Sequence, residues 1–277
     1  MWLRANGPGI GDALFLTAVA HEIKKQKKEF VGIASYHREL FENNPDIDAT
    51  TDLHDYGINA VTFRELDDQK SIKEHNVQFM LKKIGCIAPI WEDIRQYVYL
   101  RDDELLRHPK KYITISASTS NWTPNKTWFG FKDLVSLIKQ KSEFIVYQLA
   151  GNDEEKIPGC QFLNVPLRKV AAYLKGSQLH ICCITGTMHM ASGVGTRSIV
   201  LYGGRERAFV TGYHNNINIE TNPPQKCGGC YLVHPCPYGY EQDGKFKKPC
   251  LEMINPEEIY KIANDLLKID SHKIGLL

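Results

Sequence analysis

Apolar and polar positions along this chain alternate between two spacings. Trp2 to Ala5 reads as a short strand that runs directly into a glycine turn, Gly7-Pro8-Gly9-Ile10-Gly11-Asp12. Beyond it Ala13, Leu14, Leu16, Thr17, Val19, Ala20 and Ile23 recur at helical spacing, the pattern of a helix with an apolar face. Lys24, Lys25, Lys27 and Lys28 crowd the end of that helix, where cations suit the dipole. Phe30 to Ala34 reads as a second strand. Strand, glycine turn, helix and strand make the first unit of a doubly wound parallel sheet.

From Asn43 to about Glu65 the pattern weakens, with one strand-like piece at Ala60 to Phe63. Residues 68–84 read as helix and Tyr97 to Leu100 as a strand, before a polar stretch, Arg101-Asp102-Asp103-Glu104. A boundary is expected near His108-Pro109-Lys110-Lys111. The alternation then restarts more clearly. Strands are expected at Tyr112–Ser116, Phe144–Leu149, Leu179–Ile184 and Ser198–Tyr202, with helices at Phe131–Lys139, within Val165–Gly176, and after Ile184 as far as Gly195. Pro256 to Lys268 closes the chain as an amphipathic helix, with Asn255 as its cap and Pro256 at its first position, the place where proline is best tolerated. The fold class expected is α/β, with two Rossmann-like halves, 1–108 and 109–277, and a cleft between them. A Cys-rich loop occupies about 225–250 of the second half.

Composition narrows the class only slightly. Hydrophobic residues make up 43% and charged residues 24% of the 277, enough to bury substantial cores. A net charge of +2 gives no reason to expect a nucleic-acid partner, although a local patch would be invisible in the total. No apolar run approaches the roughly 18 residues that span a bilayer. The opening residues lack the charged head and apolar stretch of a signal peptide. The expected location is therefore the cytoplasm, where disulfides are uncommon, and the eight cysteines need another explanation.

Four places offer chemistry. In the Gly7–Asp12 turn, Gly9 and Gly11 let backbone approach a ligand, and the helix that follows offers free N–H groups. Asp12 at its mouth is either a general base toward a hydroxyl or a helix cap. The second place runs from Ser116 to Trp128, between a strand and a helix, where open α/β sheets bind ligands. Its small hydroxyl residues, Ser118 among them, and the single Lys126 suit a diphosphate; a solvated lysine over a packed Trp128 is the plain alternative. The third place is Thr185-Gly186-Thr187-Met188-His189, a strand-to-helix turn whose N–H groups form an anion site. His189 is one turn further on, able to meet a phosphate or sugar hydroxyl, or else a satisfied core histidine. Glu154 and Glu155 follow a strand end and either bind ribose hydroxyls or open a solvated helix.

The fourth is the cysteine group, Cys227, Cys230, Cys236 and Cys250. A C-x2-C knuckle with glycines between, in a Pro- and Gly-rich loop, presents two thiolates to one ion, and two further cysteines complete a set suited to zinc or iron. Such a site is structural, since four protein ligands leave no open position. Disulfides or plain thiols are the competing readings. Cys86, Cys160, Cys182 and Cys183 read as small core residues.

Together the motifs resemble the heptosyltransferase family (family nine) of GT-B glycosyltransferases. The matching segments are GIGDALFLTAVAHEIKK at 9–25, NNPDID at 43–48, NKTW at 125–128, TGTMHMASGVG at 185–195, and CLEMINPEEI from Cys250. The resemblance implies a GT-B fold, with acceptor on the 1–108 side and nucleotide-sugar on the 109–277 side. It implies inverting transfer from a nucleoside-diphosphate sugar, an ADP-sugar above all, to an acceptor hydroxyl. Asp12 matches the general base, Lys126 the phosphate lysine, and Thr185, Gly186 and His189 the donor contacts. No catalytic divalent ion is expected. The four late cysteines look like the iron- or zinc-binding motif of the protein-modifying branch. One departure stands out: Ile184 occupies the position where the family carries Asp.

The acceptor implied is a saccharide, with a protein or nucleic acid as the alternative. A different class, a metal-stabilised nucleic-acid-binding protein without enzymatic activity, would rest on the basic run Lys245-Phe246-Lys247-Lys248 beside Cys250. It leaves the three glycine-bearing turns without a purpose.

Overall fold

The structure is a computed structural model. It describes all residues except 56, 58, 63–72, 109, 118–125, 152–153, 224–226, 233–234 and 275–277, and only the backbone of 269–274.

The first half runs β1 (Trp2–Arg4), α1 (Ile10–Lys27), β2 (Gly32–Ala34), β3 (Ala49–Thr51), β4 (Ala60–Thr62) and α2 (Asn76–Lys83). The second runs β5 (Tyr112–Ser116), α3 (Phe131–Lys141), β6 (Ile145–Leu149), β7 (Gln161–Leu163), α4 (Leu167–Gly176), β8 (His180–Cys183), α5 (Gly186–Val194), β9 (Ser198–Gly203), α6 (Ala208–Thr211) and β10 (Ile217–Glu220). A hairpin, β11 (Tyr240–Gln242) and β12 (Lys245–Lys247), precedes α7 (Pro249–Glu252) and α8 (Pro256–Ile274).

Two parallel sheets result, ordered β3-β2-β1-β4 and β10-β9-β8-β5-β6-β7. In each, the first strand of its half lies inside the sheet and the chain winds out to both edges. This doubly wound order puts the loops at the carboxyl ends of the central strands into a common crevice. The strands β5, β8 and β9 are buried at every position, as expected of parallel sheets covered on both faces.

Two expectations needed revision. The helix expected over 68–84 begins only at Asn76; residues 68–72 of that expectation lie outside the described residues. Its start is fixed by His75, whose Nδ1 accepts from the Val77 N–H while its own N–H donates to Gln78 Oε1, both at 3.1 Å. Tyr97 to Leu100, expected as a strand, joins neither sheet. The Tyr97 N–H donates to Thr17 Oγ1 of α1 (3.0 Å) and the Val98 N–H to the Gly193 carbonyl of α5 (3.0 Å). The apolar alternation there serves an extended strap across two helices. Asn255 caps α8 as expected, its Oδ1 accepting from the Glu257 N–H at 2.8 Å.

Helix α1 is buried from Ala13 to Ala20 and again at Ile23, because it packs on α5 and α2 as well as over its own sheet. One core joins Leu3, Phe15, Ile33 and Met80 of the first half to Met188, Val200, Tyr202 and Tyr213 of the second. A second lies between the larger sheet, α3 and α8.

Candidate active site

A cleft of about 1370 Å³ opens between the carboxyl ends of the two sheets. The glycine turn and first turn of α1 line it from one side; the ends of β5, β6, β8 and β9 line it from the other. That is large enough for a nucleotide-sized ligand.

The two helix N-termini that bound this cleft meet almost in contact. A Cβ on Gly11 would lie 2.7 Å from His189 Cδ2, and one on Gly186 would lie 2.7 Å from Ile10 Cβ. Glycine at these two places is therefore required by helix-to-helix packing, whatever else the bare backbone offers a ligand. Both N-termini turn their positive dipole ends into one space, which favours an anion.

Asp12 sits in the first turn of α1 and lines the cleft. Gly9, not Asp12, holds the capping position, and it makes no side-chain cap. The carboxylate folds back over Gly9, whose Cβ would meet Oδ2 at 2.9 Å. Asp12 also acts electrostatically on Lys126 across the cleft.

Lys126 enters from the loop after β5, with its side chain 15% exposed. Its Nζ donates to Glu206 Oε1 at 2.7 Å. Arg205 Nη1 bonds the same oxygen, and Thr211 Oγ1 donates to the other at 3.3 Å. Burial lowers the Lys126 ammonium, opposed by Glu206 and more weakly by Asp12. Burial by itself would raise the Glu206 carboxyl, yet Lys126 and Arg205 bring it down to about 2. The group gathers Lys126 and Arg205 on one carboxylate.

His189 is buried, its Nδ1 on the Tyr213 hydroxyl and its ring edge-on to Phe15 at 4.6 Å. Burial first, and then the nearby Lys126, lower its pKa to about 3. It faces the cleft as a neutral imidazole and meets any ligand as a hydrogen-bonding group rather than a charge. The tautomer in which Nδ1 accepts from Tyr213 carries its proton on Nε2, the atom beside Gly11.

The hydroxyls of Thr185 and Thr187 bond each other at 2.8 Å. Behind them His180 joins Thr187 Oγ1 through Nε2 (3.1 Å) and Thr114 Oγ1 through Nδ1 (3.0 Å). Burial lowers His180 to about 3 as well, so this chain of groups is uncharged. Glu154 Oε1 accepts from the Gly151 N–H at 2.9 Å, closing the turn after β6. Its Oε2 is buried, lines the cleft and has no hydrogen-bond partner among the described residues. Ile184 is buried at the cleft wall among Met188 and Tyr202, an apolar lining element. Ser118 lies outside the described residues.

None of Cys227, Cys230, Cys236 and Cys250 is in a disulfide. Burial raises Cys227 and Cys250, and the other cysteines of the group raise them further, so the four lie within electrostatic reach of one another. That donor set suits a thiolate-bound zinc or iron ion. Among the described residues, however, no three His, Cys, Asp or Glu side chains are drawn together closely enough to hold one. The basic run nearby is already engaged. Lys245 and Lys248 each lie 5.1 Å from the Phe129 ring centroid, Lys248 donates to the Phe246 carbonyl, and Lys247 pairs with Glu252 at 3.2 Å.

Arg205, Glu206, Tyr213 and His180 were not anticipated as part of the site. A signal for the first two was available: Gly203-Gly204-Arg205-Glu206 ends a buried strand on the same sheet edge as Lys126, where ligands of this architecture gather.

Comparison with known proteins agrees with this arrangement. Among solved structures the chain is similar to the iron-containing dodecameric glycosyltransferase TibC from enterotoxigenic E. coli H10407, with TM-score 0.72, 16% identity, and 96% of this chain and 76% of that one covered. TibC in complex with ADP-D-beta-D-heptose aligns with TM-score 0.68 at 16% identity over the same shares. E. coli ADP-heptose lps heptosyltransferase II aligns with TM-score 0.65 at 11% identity, covering 98% of this chain and 99% of that one. At such identities the likeness is one of fold, and the fold is GT-B. No curated protein sequence matches the chain. The sequence profile described as Glycosyltransferase family 9 (heptosyltransferase) matches residues 38–233, which excludes the non-enzymatic alternative and carries the conclusion: the chain belongs to glycosyltransferase family 9, the nucleotide-sugar-dependent heptosyltransferases.

Proposed function

We propose that this protein transfers a sugar, a heptose or a close relative, from an ADP-sugar to an acceptor hydroxyl with inversion. One observation carries this above all: Asp12 and Lys126, from opposite halves, line the same cleft and sense each other's charge. The halves divide the work, residues 1–108 facing the acceptor and 109–277 holding the donor. The ADP-heptose bound to TibC supports an adenine nucleotide. The acceptor is a saccharide in this reading, with a protein or a nucleic acid as the alternative.

The chemistry follows from the geometry. Asp12 takes the proton of the acceptor hydroxyl as its oxygen bonds to the anomeric carbon, through an oxocarbenium-like transition state. The anomeric carbon–oxygen bond to the diphosphate breaks on the opposite face, and its electron pair leaves with the nucleoside diphosphate. Lys126 and the N-terminal N–H groups of α5 at Thr185, Gly186 and Thr187 receive that developing charge. They do the work of a divalent ion, so no catalytic metal is required. His189 donates a hydrogen bond from Nε2 to the phosphate or sugar, beside the bare backbone of Gly9 and Gly11. The open Oε2 of Glu154, and Ser118 before Lys126, serve as donor contacts.

Cys227, Cys230, Cys236 and Cys250 would hold a structural zinc or iron ion, iron being the ion named for TibC. Such an ion would supply cross-linking of the 225–250 segment and no reaction step. The eight cysteines, none of them in a disulfide, and the lack of any helix among the described residues long and apolar enough to cross a membrane, support a reducing cytoplasmic setting.

The test is ligand-dependent thermal stability with ADP, UDP, GDP and CDP and their sugar conjugates. A ligand at 100 times its dissociation constant adds about 2.7 kcal/mol. ADP and ADP-sugars should raise the melting temperature by several degrees, and Lys126→Ala should abolish the effect. A shift with UDP alone would reject the adenine donor; none with any nucleotide would reject the donor assignment.

A further inference from the structure

The place where the phosphate lysine meets its own counter-ion goes beyond the proposed reaction. A lone ammonium buried at a cleft wall tends to lose its proton, and a neutral amine binds no diphosphate. Lys126 is instead paired at 2.7 Å with Glu206, whose side chain is only 9% exposed. Glu206 is itself held from two further directions, by Arg205 on the same oxygen and by Thr211 on the other. Glu206 thus gives Lys126 a buried counter-charge, which it shares with Arg205.

The position of Glu206 is fixed from the cysteine-bearing segment. The Gly229 N–H donates to the Gly204 carbonyl at 2.7 Å, and the Tyr231 N–H to the Arg205 carbonyl at 3.0 Å. Arg205 Nε returns a bond to the Leu232 carbonyl at 3.0 Å. The loop at Gly204 and Arg205 is thus clamped by bonds from Gly229 within the C-x2-C knuckle and from Tyr231 and Leu232 just after it, and a buried carboxylate on a clamped loop cannot swing away when an anion arrives.

We infer that Glu206 is a positioning residue, which keeps the Lys126 ammonium charged and aimed into the cleft so that it can receive the diphosphate leaving group. This rests on the donor reading above for the identity of the anion, and on the ion pair alone for the rest. The charged or titratable groups facing Lys126 are Glu206 and Arg205 from the β9–α6 connection, Asp12 from α1, His189 from α5 and Cys183 from β8. Glu206 acts most strongly among those that favour the charged lysine.

The experiment follows Lys126 directly, by carbon-13 NMR of the intact protein labelled at lysine Cε, with the resonance assigned by its loss in Lys126→Arg. In Glu206→Gln the titration midpoint of Lys126 should fall by about one to three pH units relative to wild type. An unchanged midpoint overturns the inference. Should Glu206→Gln fail to fold, Glu206→Asp withdraws the carboxylate by one methylene; a lowered midpoint supports the role and an unchanged one overturns it. ADP titrated into the same proteins by calorimetry provides the second readout. Wild-type affinity should vary little between pH 6.5 and 8.5, while that of Glu206→Gln should fall with rising pH, tenfold or more across the range. Parallel profiles in the two proteins also overturn the inference. Absence of ADP binding to wild type would strike the donor reading instead, and the lysine titration would still decide the role of Glu206.

Discussion

Gly11 and His189 approach so closely that a single added methyl on the glycine would stand 2.7 Å from the imidazole ring. The ring cannot retreat, since Tyr213 holds its Nδ1 and Phe15 packs edge-on against it. Gly11→Ala should therefore destabilise the protein by about 1–3 kcal/mol, the usual cost of overpacking, despite the better helix propensity of alanine. Gly7→Ala is the control. Nothing lies within 4 Å of a Cβ at Gly7, and the change should stay within about 0.5 kcal/mol. Denaturant melts of both variants check this, and equal effects would remove the packing explanation.

Asp12→Asn keeps shape while removing the basic oxygen. Transfer should fall by about 10²- to 10⁴-fold, the range for a general base. Donor affinity should change only a fewfold, since the role proposed for Asp12 is toward the acceptor hydroxyl and not the diphosphate. Transfer within a fewfold of wild type would reject the assignment.

Acid should weaken the fold earlier than its carboxylates alone would require. His75, His180 and His189 are buried and lowered by that burial to about 3, against about 6.5 in the unfolded chain. Between those values the unfolded state binds more protons, so stability declines as pH falls from about 6.5 toward 3. Each histidine contributes at most about 1.4 kcal/mol per pH unit. Glu206, held at about 2 by Lys126 and Arg205 against the opposing effect of burial, adds a separate loss only below about 4.5. Melting temperatures recorded from pH 7 to 5 should already drop, and less steeply in His189→Asn. A flat profile in that window would show that the histidines titrate freely.

The ion proposed for the four cysteines has its own expected outcome. Protein grown with iron or zinc should carry about one equivalent by elemental analysis and lose it in Cys227→Ser. Loss should lower the melting temperature and weaken ADP binding, because the 227–232 backbone bonds Gly204 and Arg205 behind Glu206. Metal-free wild type that is indifferent to chelators would leave the four cysteines as ordinary thiols.

Much of this was legible in the sequence because parallel sheets write themselves plainly. Strands such as Tyr112–Ser116 and Ser198–Gly203 are buried on both faces, and Gly203-Gly204 marks the carboxyl end of the second. Tyr97 to Leu100 shows where that reading fails. Its alternation is real, but its backbone donors go to Thr17 and Gly193, partners set by tertiary packing. Glu206 was missed for a related reason. One acid between two arginines looks like a solvated charge run, and its meaning depends on Lys126, eighty residues earlier in the chain. His180 looked like a strand residue, and it is one; only the three-dimensional register puts Thr114 and Thr187 on its two nitrogens.

The core that joins Leu3 and Met80 to Met188 and Tyr213 has a mechanical consequence. Neither half can melt without baring apolar surface on the other, so the chain should unfold in one cooperative transition rather than two. A fragment ending near residue 108 would lose the partners of Phe15 and Leu14 and would depend on the missing half for its own order. Sequence change in the first half is constrained accordingly: substitutions are cheap on the loops that face the cleft and costly on the seam beneath it.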